Sequence, residues 1–361
     1  MLAMALKELR QLARDHRTVA MMVVLPVLLM VVFGYAARFD VESVKTVVAG
    51  PAAETVAANL PNQLDVVATH TDWTRADGVD ALRRDEAAVA IITEATPSSG
   101  SPVSAILVDG ANLFAAQSVL RALAAVPTLP KAEILFNPDL KTSVVMVPAL
   151  MGMIMVFIGT VVTSLGVVRE RQTGTLEQLA VMPFRPRDVF LGKILPYFGV
   201  AVIDLVIVVI AGLTIFGVPF NGPVWVFALG SLLFLFVALG TGVLISTVSE
   251  NQGQAIQLAF MTLLPQILLS GMIFPLDSVA AGVRWIGYIL PLTYFVQIAR
   301  GVLVRGASFD ALLFPIGMLL VLGVVVFGLS VIRFSRDLAP AGGRGRRRRG
   351  GRTPEDAELP A

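Results

Sequence analysis

Side chains able to carry catalysis are scarce in this chain. It has no Cys and two His, His16 and His70. That removes thiolate nucleophiles, thiolate metal sites and disulfides, and leaves little for a zinc centre or a Ser-His-Asp relay. No G-x-x-x-x-G-K-[ST] run occurs: Gly192-Lys193 is followed by Ile194 and lacks the upstream Gly. The chain therefore cannot cradle nucleotide phosphates by that route. Two groups of residues remain. Asp204, Gln254 and Gln257 are polar residues stranded in apolar sequence. Arg169-Glu170-Arg171-Gln172-Thr173-Gly174-Thr175-Leu176-Glu177-Gln178-Leu179, then Pro183 and Leu191-Gly192-Lys193-Ile194-Leu195-Pro196-Tyr197, form a charged stretch between apolar ones.

Each group admits two readings. A carboxylate about eleven residues into an apolar run costs on the order of 2.5–3.5 kcal/mol to insert, so Asp204 should face protein or water. It either marks a substrate or proton path or, neutral or paired, holds helices together. Gln254 and Gln257, at i and i+3 with Asn251 a turn earlier, either line a pathway or bond between helices for about 0.6 kcal/mol each. In the charged stretch, Gly174 permits a sharp turn, and Thr175 with Gln178 forms a capping box for a short helix. By composition alone this stretch is also an ordinary positive loop.

The elements that hold these residues follow from the charges. The 361 residues are 56% hydrophobic and 15% charged, against about 25% charged in soluble domains, and mean hydropathy is +0.79. A spanning helix needs about 20 mostly apolar residues. Thr18 to Ala37 is uncharged for twenty residues, and Lys141 and Arg169 bracket twenty-seven. Ile194 to Ser249 holds only Asp204 in fifty-six, and Gly217, Pro219, Asn221, Gly222 and Pro223 split it into Ile194–Phe216 and Val224–Ser249. Asn251–Leu276 and Ala311–Ile332 complete six predicted spans. Trp285 to Ala299 is uncharged for only fifteen residues and contains Pro291. At ~1.5 Å per residue it reaches about 22 Å, so it reads as part of a re-entrant or interfacial segment, 277–305. Trp285, Tyr288 and Tyr294 are expected at headgroup level there.

Lys and Arg in short loops set the orientation. With the N-terminus inside, the cytoplasmic pieces carry seventeen Lys and Arg and the short outside pieces three. Both termini are then cytoplasmic. Residues 1–17, with Leu2, Leu6, Leu9 and Ala13 at helical spacing, read as an amphipathic helix on the inner leaflet or as topogenic charge alone. A cleaved signal peptide is the alternative start, but its apolar core is usually 7–15 residues, so an uncleaved first span is expected. Residues 38–141 hold eight basic and thirteen acidic residues and are expected to form a small extracytoplasmic α/β domain. Its strands are predicted at Val44–Ala49, Leu64–Ala68, Ala87–Ile92 and Val103–Val108. Helical segments are predicted at Ala52–Leu60, Thr74–Arg84 and Asn112–Val126, with a turn at Asp109-Gly110. No metal constellation or phosphate loop is visible in it, which favours a spacer or gate over an enzyme. The Gly/Arg tract 342–352, with Arg346 to Arg349 consecutive, cannot bury a core and is expected to be a disordered tail within 333–361. It reads as an anchor to anionic lipid rather than a nucleic-acid site.

The order of residues in the charged stretch resembles the ABC type-2 exporter permease family, whose loop reads roughly E-R-E-x-G-T-x-E-x-L, then Pro and L-G-K-x-x-P-Y. Asn137-Pro138, Pro148, Leu269-Ser270-Gly271 through Phe274-Pro275, Leu290-Pro291-Leu292-Thr293-Tyr294 and Arg300-Gly301 extend the likeness over nearly the whole chain. Gln172 departs from it where the pattern often has a second Glu. The resemblance implies a transmembrane subunit that binds no cofactor itself and works with a separate ABC ATPase, which holds ATP and Mg. The loop 169–193 would then be a coupling helix seated in the ATPase, through Glu170, Gly174, Thr175, Glu177 and Pro183. It also implies two transmembrane halves, a homodimer or a pair with a related permease, in a bacterial plasma membrane. The expected function is outward movement of hydrophobic or amphipathic molecules, drug or lipid. A membrane-anchored sensor or assembly factor is the alternative. A membrane-integral transferase is weaker, because acyl or glycosyl transfer needs clustered acid, base or His groups.

Overall fold

The computed structural model describes residues 43–61, 63–94, 102–124, 130–173 and 186–338. The expected amphipathic helix 1–17, first span 18–37 and basic tail 342–352 lie outside them.

The first part is a five-stranded sheet with helices on both faces. Its strands are β1 (Val44–Ala49), β2 (Leu64–His70), β3 (Val89–Thr93), β4 (Val103–Asp109) and β5 (Ala132–Leu135), in the order β2-β1-β3-β4-β5. β1 pairs in parallel with β2 and β3, β4 runs antiparallel to β3, and β5 runs parallel to β4. Parallel neighbours need crossovers, and these are α1 (Ala53–Ala57), α2 (Arg75–Arg83) and α3 (Leu113–Ala124). Alternation along the strands divides the core. Val44, Val48, Ile91, Ile106 and Val108 pack with Val56, Ala116 and Val119 of α1 and α3. Val47, Ala49, Ala90, Ile92 and Leu107 pack with Leu82 of α2. Because both faces are covered, β3 is buried at every position and reads as an unbroken apolar run rather than an alternating one.

The second part is helical. α4 (Thr142–Phe157), a π-helical turn (Ile158–Val162) and α5 (Thr163–Gln172) follow one another without a break. α6 spans Pro186–Thr214, α7 Val224–Val248 and α8 Gln252–Leu269. Then come α9 (Ala281–Gly287), α10 (Pro291–Arg300), a second π turn (Gly301–Arg305) and α11 (Leu313–Leu338). Among the described residues four helices are long and apolar enough to cross a membrane: Thr142–Glu170, Leu195–Thr214, Val224–Val248 and Asp310–Arg333. α8, expected as the fifth span, is eighteen residues long with four glutamines and is not among those four. The window is 61% buried in α7 but 17% in Leu195–Thr214 and 28% in Asp310–Arg333, so α7 is the central post while α6 and α11 turn apolar faces outward. Gly242 permits a close approach: a Cβ there would stand 2.7 Å from the Thr160 carbonyl oxygen on the π turn. Thr160 in turn donates its hydroxyl to Ala238 O at 3.3 Å.

Within the expected loop 169–193, α6 begins at Pro186, where a helix-ready φ and a missing N–H favour a first turn. One expectation needs correction. Tyr294 is not a headgroup anchor: it is buried and donates its hydroxyl to Tyr288 O at 2.6 Å, while Trp285 and Tyr288 stay exposed. β5 went unforeseen because four residues flanked by Lys131 carry too little pattern of their own, and β4 supplies their register.

Candidate functional site

Three places gather the polar chemistry. The first is the elbow between α5 and α6. Glu170 lies on the last turn of α5, and its carbonyl accepts the Thr173 hydroxyl at 3.1 Å. Gln252, at the start of α8, donates its side-chain amide to Gln172 Oε1 at 2.9 Å, tying a second helix to the elbow. The hydroxyl of Tyr197, from the L-G-K-x-x-P-Y run on α6, lies over Gly166 of α5, where a Cβ would collide with it unless the Tyr197 ring moved. The two arms are thus pinned one turn above Glu170. Gly174, Thr175, Glu177 and Pro183 lie outside the described residues.

The second is the set of polar residues among apolar helices. Asp204 sits on α6 beside the buried Ala201 and Leu205, and its Oδ2 is buried with no hydrogen-bond partner among the described residues. Gln254 is engaged at the start of α8. Its Oε1 accepts the Glu250 N–H at 3.0 Å, and its own N–H donates to Asn251 Oδ1 at 2.9 Å, an N-cap. Gln257 has a buried Oε1 without a partner among the described residues. No hydrogen bond joins Asp204 to either glutamine among the described residues.

The third place was not foreseen. The π turn after α10 ends in Arg305, which is buried against the sheet. Its Nε and Nη2 donate to Asp109 Oδ2 at 3.0 and 2.8 Å, and Nη2 also donates to Asp85 Oδ1 at 2.6 Å. Local structure aims both acids. Asp109 closes β4 and its Oδ1 accepts the Ala111 N–H at 2.8 Å. Asp85 follows α2 in the left-handed region (φ 62°), where Glu86 N bonds back to Ala81 O and Asp85 N to Leu82 O. That is a helix terminus Asp tolerates better than most residues. Burial pushes the Asp109 carboxyl above the ordinary carboxylate range, against the pull of Arg305. Burial opposes the charge on Arg305 too, but Asp109 and Asp85 outweigh it and hold the guanidinium above its usual value. Arg83 Nε donates to the Arg305 carbonyl at 3.3 Å, Lys45 pairs with Asp277 at 3.0 Å, and Arg300 donates to three backbone carbonyls, Val145, Gly271 and Met272. Asn137 adds a stitch on the chain itself: Nδ2 donates to Gly110 O at 3.2 Å and to Lys141 O at 3.1 Å, and Oδ1 accepts the Lys141 N–H at 3.1 Å. The end of the sheet is thereby fixed to the first turn of α4. The signal available in the sequence was charge complementarity: an acidic 38–141 and three arginines, Arg284, Arg300 and Arg305, in the short segment 277–310.

An apolar bundle with four helices long enough to cross a membrane among the described residues, joined to an α/β unit, has the make-up of a polytopic membrane protein. Residues 16–332 match the family described as ABC-2 family transporter protein, and the chain belongs to that family. It is 27% identical over 365 residues to "Probable multidrug ABC transporter permease YbhS" of Escherichia coli (strain K12), covering 93% of this chain and 97% of the relative. It is 32% identical over 216 residues to "Inner membrane transport permease YhhJ" of the same organism, covering 56% and 54%. Over 191 residues it is 25% identical to "ABC transporter G family member 20" of Dictyostelium discoideum, covering 53% and 26%. No solved structure matches. The chain is accordingly a membrane-embedded permease subunit of an ABC transporter, and ATP hydrolysis belongs to a separate ABC ATPase subunit.

Proposed function

We propose that this chain is the transmembrane half of an exporter that moves hydrophobic or amphipathic small molecules, drugs or lipids, outward across a bacterial plasma membrane. The relative named a probable multidrug permease supports the substrate class. Six spans (18–37, α4 with α5, α6, α7, α8 and α11) place both termini in the cytoplasm, with the α/β unit on the opposite side and α9 and α10 re-entrant from there. Glu170, Gly174, Thr175, Glu177 and Pro183 seat in a groove of the ATPase, which carries ATP and Mg. Two such halves, identical or related, complete the pathway, with Asp204, Gln254 and Gln257 as its candidate polar residues.

The observation that carries this reading is the helical rod Thr142–Gln172, unbroken from the sheet stitch at Asn137 to the elbow. At ~1.5 Å per residue it is about 45 Å long, enough to cross a bilayer. Closure of the ATPase pair displaces the elbow, and a rigid rod passes that displacement to the far side, switching inward- and outward-open states. Co-purification with the ATPase tests the coupling, comparing wild type with Glu170→Ala and Glu177→Ala. Reduced ATPase retention at equal permease level is expected; identical retention removes those residues from the contact.

A further inference from the structure

A cavity of about 360 Å³ opens where the sheet meets the re-entrant helices, within the size range of small-molecule sites. Its charged lining is mostly cationic. Lys45, Arg83, Arg84, Arg300 and Arg305 line it, against the carboxylates of Asp85 and Asp277. Four of the five cations have acids of their own: Arg305 has Asp109 and Asp85, Lys45 has Asp277, and Arg83 and Arg84 share Asp80. Arg300 differs. Its three hydrogen bonds run to backbone carbonyls at 3.2, 3.0 and 2.8 Å, and no carboxylate lies within ion-pair distance among the described residues. A guanidinium has five N–H donors in a planar fork, so two are left over on a charge that burial disfavours unless it is paired. The lining also includes the apolar side chains of Ile273, Leu276, Tyr288 and Phe314. Phe314 and Tyr288 are 68% and 46% exposed, next to the exposed Leu313 and Ile289, so the apolar lining continues onto an apolar outer surface.

We propose that this cavity binds an anionic amphiphile, with a phosphate or carboxylate headgroup on the Arg300 fork and an apolar tail along Leu276, Tyr288 and Phe314. A planar fork matches such oxygens in bidentate fashion, and the headgroup supplies the direct ion pair that no carboxylate among the described residues makes with Arg300. The physiological meaning rests on the exporter reading above. The binding itself requires neither the ATPase nor nucleotide, so loss of ATPase co-purification and loss of binding are separate failures.

Gln297 lies one turn before Arg300 on α10 and also lines the cavity, so an acid there meets Arg300 at helical i,i+3 spacing. The experiment measures binding of radiolabelled dodecyl phosphate to the full-length chain in phosphatidylcholine nanodiscs, for wild type, Gln297→Glu and Gln297→Lys. Expected are saturable binding to wild type, about tenfold weaker binding to Gln297→Glu, and binding to Gln297→Lys at least as tight as wild type. Neither dodecyl maltoside nor inorganic phosphate should compete at equal concentration. Equal binding by all three proteins, or competition by dodecyl maltoside, overturns the headgroup assignment. Competition by inorganic phosphate as strong as by dodecyl phosphate overturns the amphiphile in favour of a free small anion. The two variants differ in sign at one position, so a purely structural disturbance would weaken both.

Discussion

Arg305 grips Asp109 through two nitrogens, at 3.0 and 2.8 Å, across 196 residues of sequence. This is the main polar bond between the sheet and the helical part, and Asp109 is wholly buried within it. Removing one partner of such a pair leaves an uncompensated charge, at a cost of about 3–5 kcal/mol. Arg305→Leu is therefore expected to lower the melting temperature of the purified chain sharply. Arg305→Leu combined with Asp109→Asn should recover part of the loss, because the neutral amide no longer needs a counter-ion. pH separates this from lost packing. Asp109 titrates above its ordinary value in the folded protein. Arg305 is the charge that pulls the Asp109 carboxyl down against burial, so its loss moves that carboxyl further up in Arg305→Leu than in wild type. A carboxyl raised in the folded state contributes stability that is full below its unfolded pKa of about 3.9 and lost as pH rises through the folded value. The variant therefore regains more stability than wild type as pH falls, and its deficit should shrink toward acid pH. A deficit flat with pH assigns the effect to packing.

Asn137 bridges the sheet and the first turn of α4 with three hydrogen bonds. Truncation strands the Gly110 and Lys141 carbonyls and the Lys141 N–H at a partly buried site, costing about 1–3 kcal/mol. Asn137→Ala is expected to increase proteolysis near residues 136–141 while circular dichroism still reports a helical bundle. Unchanged protease sensitivity would mean that the ion pairs alone hold the two parts together.

Local pattern carried much of this fold. β1 occupies Val44–Ala49 as expected, because five buried positions in six leave no rival structure. α2 starts after Thr74, where the Asp77 carboxylate accepts both the Thr74 N–H and its hydroxyl, a motif written in four adjacent residues. The Pro291 region folds as two short helices interrupted at 288–290, each too short to cross a bilayer alone. Arg305 and Asp109 were legible only separately, as a loop cation and a turn former. Their pairing depends on a π turn and a left-handed Asp85, which no local spacing encodes. Tyr294 was misplaced for a related reason: an amphipathic ring suits a headgroup layer and a buried hydroxyl contact equally well until the packing of α10 is known.

Gly166 and Tyr197 make the elbow testable on its described side. A Cβ at 166 meets the Tyr197 hydroxyl first and the ring carbon beneath it next. Gly166→Val is expected to push α6 away from α5 and to reduce ATPase retention, with the permease still present in the membrane. Tyr197→Phe removes the nearest atom, so Gly166→Ala with Tyr197→Phe should retain more ATPase than Gly166→Ala alone, a coupling between contacting residues that independent sites would not give. Additive losses would mean that the two arms are not pinned here.

Asp204 offers the sharpest division between pathway and scaffold. Its buried Oδ2 has no partner among the described residues, on a helix whose neighbouring Ile203, Val206 and Ile207 face outward. A carboxylate kept there at a cost of about 2.5–3.5 kcal/mol serves either a passing substrate or proton or a second helix. Asp204→Asn retains shape and hydrogen-bonding capacity but loses the charge. Asp204→Leu loses both and removes the insertion cost. On the pathway reading both variants reach the membrane at wild-type level or above, and both export less, Asp204→Leu by the larger factor. Export equal to wild type in Asp204→Asn, at a normal membrane level, takes the charge out of the path. A fall in membrane level for Asp204→Leu, despite its easier insertion, assigns the residue to helix association.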